Sequence, residues 1–448
     1  MTEPGDLPTQ QQMRELLAAT TPEELHHLLR DANDRYAYEQ EFANRTSALT
    51  APAREAAWSV LDFARRLCAH DITSGVLDSR WFTPTPHILK WLHEIDVLTS
   101  GRLVTALERL GDEQQRFASH ALMDEAIAAC LAPDEQTQFK DVRSLLRHGI
   151  EPRTRTERLV TNFYRTMLQV PTIATGPLTI ETVVRVQRML AAGLTESEEE
   201  STAFRQRNIP RRATVDRWPG SYTPPLAHEV RPRMDRLIED MDTERPWVHP
   251  LVQGPMLYFS ILNIRPFELS EIGLARAVFQ IYMHRAGYPA LQLMPISQVL
   301  LHRYRDYGRL WPAENRGDLT GFVTWALESI WDALDALRKN VDIRVAENDR
   351  LREQLRFDPK LNHRQRTILG RAIRLPGATF FIDYHRRSYG IAYSTARADL
   401  IGLVDRGYLR VRREGHAFVF SATPGLRQLV MEKSSGRASN AGTAHGRS

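Results

Sequence analysis

The chain has 448 residues, 42% apolar and 25% charged, which suits a globular protein of about three domains and excludes extensive disorder. No apolar run approaches the ~18 residues that span a bilayer. The polar start MTEPGDLPTQ lacks the features of a secretory signal, and Cys68 and Cys130 are too few for a disulfide framework or a cysteine-based zinc site, so a cytoplasmic protein with no membrane partner is expected. Charge is unevenly spread. From Leu361 to Ser448 there are 15 Lys/Arg against 5 Asp/Glu, a net +10, while the other 360 residues carry 44 against 50, a net −6. A basic C-terminal module on a mildly acidic body points to a polyanionic partner, or to nothing more than a basic solvated surface.

The N-terminal third reads as helix throughout. Thr21-Pro22-Glu23-Glu24 offers a cap, a proline at the first helical position and a glutamate three residues after the cap. Thr50-Ala51-Pro52 opens a second helix with Ala57, Val60, Leu61, Ala64 and Leu67 on one face. Pro86 to Leu92 and Asp124 to Leu131 continue in the same manner. His26 and His27 would point about 100° apart on a helix and make a poor metal pair. Nothing in residues 1–150 declares a function.

Two amphipathic helices are predicted at Glu157–Val170 and Thr179–Leu190, then an acidic loop over Glu196–Glu200 and the short stretch Ala203–Ile209. Tyr222-Thr223-Pro224-Pro225 breaks the chain before a helix from Glu229 to Asp242. His249-Pro250 opens an apolar helix ended by Arg265-Pro266-Phe267, and Ile272–Ala286 is helical up to Gly287-Tyr288-Pro289. Gly317-Asp318-Leu319-Thr320 caps a long helix holding Phe322, Ala326, Ile330, Ala333 and Leu337.

The last module differs. A helix over Asn362–Ile373 precedes a helix-turn-helix, Phe380–Arg387 and Ser394–Val404, joined at Tyr389-Gly390-Ile391. Two alternating stretches, Tyr408–Arg412 and Ala417–Phe420, then form a hairpin through Glu414-Gly415-His416. Three helices and a hairpin in this order make a winged helix. From Lys433 the Ser/Gly/Ala-rich tail reads as disordered. The expected domains are 1–150 (helical, of unassigned role), 155–350, the winged helix at 355–425 and the tail at 433–448.

The central and C-terminal residues resemble the Fic family, and within it proteins that carry a C-terminal winged helix. The family signature H-P-F-x-D/E-G-N-G-R-x-x-R aligns with Arg265-Pro266-Phe267-Glu268-Leu269-Ser270-Glu271-Ile272-Gly273-Leu274-Ala275-Arg276. His249-Pro250, Arg285 to Pro289, Gly317 to Thr320 and Leu361 to Gln365 look like family landmarks. Phe204-Arg205 sits where the family places its target-docking flap, and Tyr222–Pro225 looks like its proline-rich lead-in. The resemblance covers about 157–423. It implies a mainly α fold, a Fic-like helical core flanked by an N-terminal helical domain and a winged helix.

In the family, the motif histidine is a general base for a target hydroxyl that attacks a nucleotide phosphate, usually transferring AMP from ATP. An acidic residue holds Mg²⁺, glycines admit phosphate, and arginines bind its charge. This sequence departs from that pattern. Arg265 cannot accept a proton, and Leu269 offers no metal ligand. Ser270 and Ile272 replace the glycines, Glu271 the asparagine and Gly273 the first arginine. Pro266, Phe267 and Arg276 match. Ordinary AMP transfer is not expected, and the motif does not support Mg²⁺.

Two readings of the altered pocket stay open. It is decayed, with Phe267 in the core and Arg265, Glu268 and Glu271 as solvated surface. Or it is remodelled, with Arg265, Arg276 and Phe267 binding an anionic small molecule, a nucleotide being the candidate cofactor, and Glu268 and Glu271 as candidate catalytic groups. His284 reads as helix surface. The firmer candidates are for DNA: Tyr393, Ser394, Thr395 and Arg397 at the start of the recognition helix, with Arg386, Arg387, Arg412 and Arg413 for phosphates. The favoured function is a DNA-binding regulator with a Fic-like ligand-sensing or interaction domain. The alternatives are an enzyme with non-standard chemistry on a nucleotide or small anionic metabolite, and a scaffold. Self-association is left open.

Overall fold

The computed structural model describes residues 8–34, 36–72, 80–130, 139–209, 212–215, 218–222, 224–242, 247–300, 302–303, 317–375, 377–414 and 417–431. The hairpin turn at 415–416, the tail from Lys433 and Thr223 lie outside them. The fold is mainly α. The chain divides into two compact units, 1–104 with 119–337, and 105–118 with 338–448. The division falls at 104/105, 118/119 and 337/338. It lies within helices, which composition along the chain cannot mark.

In the first unit, α1 (Gln10–Ala19), α2 (Pro22–Asp34), α3 (Glu39–Arg45) and α4 (Ala51–Leu67) close around Leu16, Phe42, Ala53, Ala57 and Leu61. Thr50 caps α4 from its side chain and Pro52 sits in the first turn, as the sequence predicts. The all-helical expectation fails next. Strands β1 (His70–Ile72) and β2 (Arg80–Phe82) pair antiparallel. Trp81 is bonded through its backbone to Gly317 O at 2.9 Å and from Leu319 N at 2.8 Å. A distant segment thus supplies partners that no local periodicity reveals. The neighbouring Asp318 accepts the Tyr36 hydroxyl and the Thr320 amide, the latter at 2.9 Å.

Helices α5 (Pro86–Val97), α6 (Leu103–Arg109), α7 (Gln114–Cys130) and α8 (Phe139–His148) follow. Then come α9 (Arg155–Ile173), α10 (Ile180–Ala191) and α11 (Glu198–Thr202). The expected acidic loop is in part this last helix. Ser197 caps it and three glutamates occupy its first turn, where the dipole favours them. A small hairpin, β3 (Arg212–Val215) with β4 (Trp218–Tyr222), precedes α12 (Ala227–Asp242), α13 (Pro250–Ile264), α14 (Glu271–Arg285) and α15 (Thr320–Phe357).

The main core sits where α13 and α14 meet α9, α10 and α12. Helix α13 is apolar on every side, and such a helix must be buried. Leu251, Val252, Met256, Leu257, Phe259, Ile261 and Ile264 all are. Gly254 permits the close approach of α14, since a Cβ there would lie 2.5 Å from Met283 Sδ. No helix among the described residues is long and apolar enough to cross a membrane.

In the second unit the order is α16 (His363–Arg374), β5 (Thr379–Phe381), α17 (Ile382–Tyr389), α18 (Tyr393–Asp405), β6 (Leu409–Glu414) and β7 (Ala417–Ala422). Phe380, expected to open a helix, lies in β5 opposite Phe420, because the Thr-Phe-Phe run finds an open edge of β7. The antiparallel sheet runs β5-β7-β6 around a core that includes Leu369, Ala396, Leu400, Leu403 and Phe420. Gly390 takes φ +61 in the expected turn between α17 and α18, a left-handed conformation that glycine adopts freely.

Candidate functional site

Helix α13 ends at Ile264, and the loop to α14 is bounded by two non-glycine residues in the left-handed region, Arg265 at φ +48 and Ser270 at φ +61. Ser270 therefore adopts the conformation its glycine-like position requires. Ile272 does not need one, because it already lies in the first turn of α14. Phe267 is buried at 2% exposure and stacks on Phe204, rings 5.0 Å apart and 16° from parallel. It belongs to the main core.

Arg205, expected in an exposed flap, is instead interior. Its guanidinium donates to Arg265 O at 2.8 Å, Arg207 O at 3.0 Å, Pro225 O at 2.6 Å and Ile264 O at 3.3 Å. Its backbone amide donates to Pro266 O at 2.9 Å. A cation thus covers the last carbonyls of α13, where the helix dipole is negative. The charge pattern of Phe204-Arg205 could not distinguish this role from a surface one.

The charged residues of the loop are already paired. Arg265 grips both oxygens of Glu271, Nε to Oε2 at 2.7 Å and Nη2 to Oε1. Both side chains are largely buried. Glu268 is exposed, whereas Glu271 is held by Arg265. The backbone carbonyl of Leu269 accepts from Gln187 Nε2 at 3.2 Å. A Cβ on Gly273 would lie 3.3 Å from the Phe163 ring and 3.5 Å from Leu190, so glycine here lets α14 pack against α9 and α10.

Arg276 is 3% exposed. Its Nη2 donates to Ser297 Oγ at 3.3 Å, its Nε stands 3.8 Å from Glu125 Oε1, and its guanidinium lies 5.1 Å from the Tyr258 ring centre. Ser297 donates to Glu125 through Oγ at 2.6 Å and through its backbone amide at 3.1 Å. Burial pushes the Glu125 carboxyl up, against the pull of Arg276 and Ser297. Sequence reasoning missed Glu125, because no local pattern links α7 to α14. The two arginines expected to share an anion thus each have a carboxylate of their own. His284 is half-buried in the last turn of α14.

A Mg²⁺–nucleotide of the family's kind does not fit these residues. Both oxygens of Glu271 face Arg265, Leu269 has no ligand atom, and side-chain packing fills the space beside Gly273. Among the described residues, no group of three or more His, Cys, Asp or Glu is set to hold a metal ion.

In the second unit, Ala396, Leu400 and Leu403 face the core of α18, while Tyr393, Ser394 and Arg397 are exposed and Thr395 is half-buried. Arg386 and Arg387 on α17 and Arg412 and Arg413 on β6 are exposed as well. Arg386 Nε lies 3.4 Å from Asp383 and Arg412 Nη2 lies 2.7 Å from Glu414. Behind this face is an unforeseen hub. Asp399 on α18 accepts from Asn362 at 2.7 Å and from Arg364 at 2.6 and 3.1 Å, and meets His385 Nε2 at 3.0 Å. Burial alone would raise its carboxyl, but these partners outweigh burial and hold it below the usual carboxylate range.

No family model and no curated protein matches the chain. Among solved structures it is similar to a Fic family protein from Desulfovibrio desulfuricans G20, at 19% identity and TM-score 0.49, over 76% of this chain and 96% of that one. It is similar to Fic-1 from C. elegans at 13% identity and TM-score 0.44, over 76% and 100%. A Fic domain containing signaling protein from Bacteroides thetaiotaomicron VPI-5482 follows at 15% and 0.39, over 58% and 95%. These structural neighbours are Fic family proteins, and the likeness is distant.

Proposed function

We propose that the chain is a DNA-binding regulator built from a winged helix and a Fic-like helical core, the core acting as a ligand-sensing or interaction domain and not as an AMP transferase. The observation that carries this reading is the division of α18 into a buried face of Ala396, Leu400 and Leu403 and an exposed face near its start, Tyr393, Ser394 and Arg397. The start of a recognition helix reads base edges. Arg386, Arg387, Arg412 and Arg413 lie exposed on neighbouring elements, where phosphate contacts fix register without reading sequence. Support for a non-transferase core comes from Arg265 and Glu271, the would-be base and its neighbour, which are bound to each other.

The test is duplex binding by the full chain, followed by anisotropy over a salt series. Binding is expected to weaken steeply with salt, since each arginine–phosphate contact releases a counterion. Absence of any duplex binding at low ionic strength would leave the module as a protein-contact element and overturn the reading.

A further inference from the structure

Four aromatic side chains of the second unit stand open to solvent around one groove: Phe381 at the end of β5, Tyr384 on α17, Tyr393 at the start of α18 and Phe418 on β7, between 40% and 61% exposed. The groove holds about 570 Å³, within the ~300–1,000 Å³ range of small-molecule sites. Exposed rings gathered in this way are unusual on a soluble surface. The carboxylates of Asp383 and Glu414 and the guanidinium of Arg387 line it too, with Ile382 and Ala417, so two acids and one base border the rings.

The geometry points to this groove as a binding site for an aromatic cation, with ligand and DNA excluding one another. The faces of Phe and Tyr rings carry negative quadrupoles that attract cations and offer nothing to anions. Both carboxylates are engaged by arginines, Asp383 by Arg386 at 3.4 Å and Glu414 by Arg412 at 2.7 Å. These four side chains are about half exposed, and such surface pairs contribute little, so a desolvated ligand cation replaces them at small cost. Exclusion follows from shared residues, because Tyr393 and Arg387 line the groove and also belong to the face assigned to DNA. Only this second half rests on the DNA-binding reading. It would give the regulator a ligand site on the DNA-facing module itself.

The experiment uses the full chain and two probes of one shape and opposite charge, tetraphenylphosphonium and tetraphenylborate, titrated by calorimetry. Tetraphenylphosphonium is expected to bind and tetraphenylborate not. Tyr393→Ala and Phe418→Ala should each weaken the cation roughly fivefold or more. Glu414→Gln, which keeps shape and removes charge, should weaken it in the same direction. Circular dichroism shows whether each variant is folded. Equal binding of the borate, affinity unchanged in both aromatic variants, or no binding at about 1 mM phosphonium, the weak limit of ~−4 kcal/mol, overturns the site. In a separate arm, saturating phosphonium is added to the chain on labelled duplex. Release of the DNA supports exclusion, and unchanged DNA affinity overturns it. If no duplex binds even without the phosphonium, the DNA reading and exclusion fall together, while the calorimetry still decides the site.

Discussion

Arg265 combines two opposed terms in one side chain. Its left-handed backbone costs ~1–2 kcal/mol for a residue with a Cβ. Its two-pronged grip on Glu271 and the capture of its carbonyl by Arg205 hold it there. These terms separate by substitution. Arg265→Ala loses the grip and keeps the strain, whereas Arg265→Gly loses the grip and relieves the strain. The glycine variant should therefore be the more stable of the two by about 1 kcal/mol in urea unfolding. If alanine equals or exceeds glycine, the loop does not impose the left-handed backbone. Arg205 serves as the harder test of the same loop. Arg205→Met removes one cation from four carbonyls and should cost about 3 kcal/mol or more, since those acceptors stay buried.

At the scale of elements, α18 is held by a charge at its middle and not only by its apolar face. Asp399 gathers Asn362 and Arg364 of the α16 start and His385 of α17. Its carboxyl lies below the unfolded value, so its contribution is fully present above about pH 5 and fades as pH falls below ~4 toward the folded value. Asp399→Asn should lower stability at pH 7 and flatten this acid limb, as read by thermal unfolding from pH 3 to 7. An acid limb as steep as the parent's would remove Asp399 as its source. On the outer face of α18 the prediction concerns binding. Arg397→Ala should reduce preference among duplex sequences, whereas Arg412→Ala on β6 should weaken all sequences alike and lower the salt slope by roughly one. A uniform effect from both would place Arg397 among the phosphate contacts.

For the molecule as a whole, the expected outcome with ATP and Mg²⁺ is no transfer of AMP to itself or to other proteins, read with labelled nucleotide. Arg265→His should not restore it. Histidine would supply a base, but the metal ligand missing at Leu269, the packed glycine at 273 and the buried Arg276–Glu125 pair would all remain. Saturable labelling by the unaltered chain would overturn this account of the loop. Gly254 offers a control on the core that carries both ends of the loop. Gly254→Ala drives a methyl against Met283 and Phe279 and should destabilise by ~1–3 kcal/mol.

Several features were legible in residue order alone because they are local. Thr50-Ala51-Pro52 announces a helix start, the apolar run after Pro250 announces an apolar helix, and Gly390 announces the turn into α18. On α18 the expected outward residues Tyr393, Ser394 and Arg397 are exposed, but Thr395, expected with them, is half-buried, while Ala396, Leu400 and Leu403 face inward. What the sequence could not specify is which charges meet. Arg205 and Arg265 are both arginines near a proline, yet one is sealed beneath carbonyls and the other is bound to Glu271. Glu125 and Asp399 carried no local signal, and both became centres of buried networks. The strand β2 likewise exists because Gly317 and Leu319 come to meet Trp81. Helical periodicity, capping and turn chemistry act over a few residues, so the order of residues determines them. Burial and ion pairing depend on which distant groups share a site once water is excluded, and only the folded chain decides that.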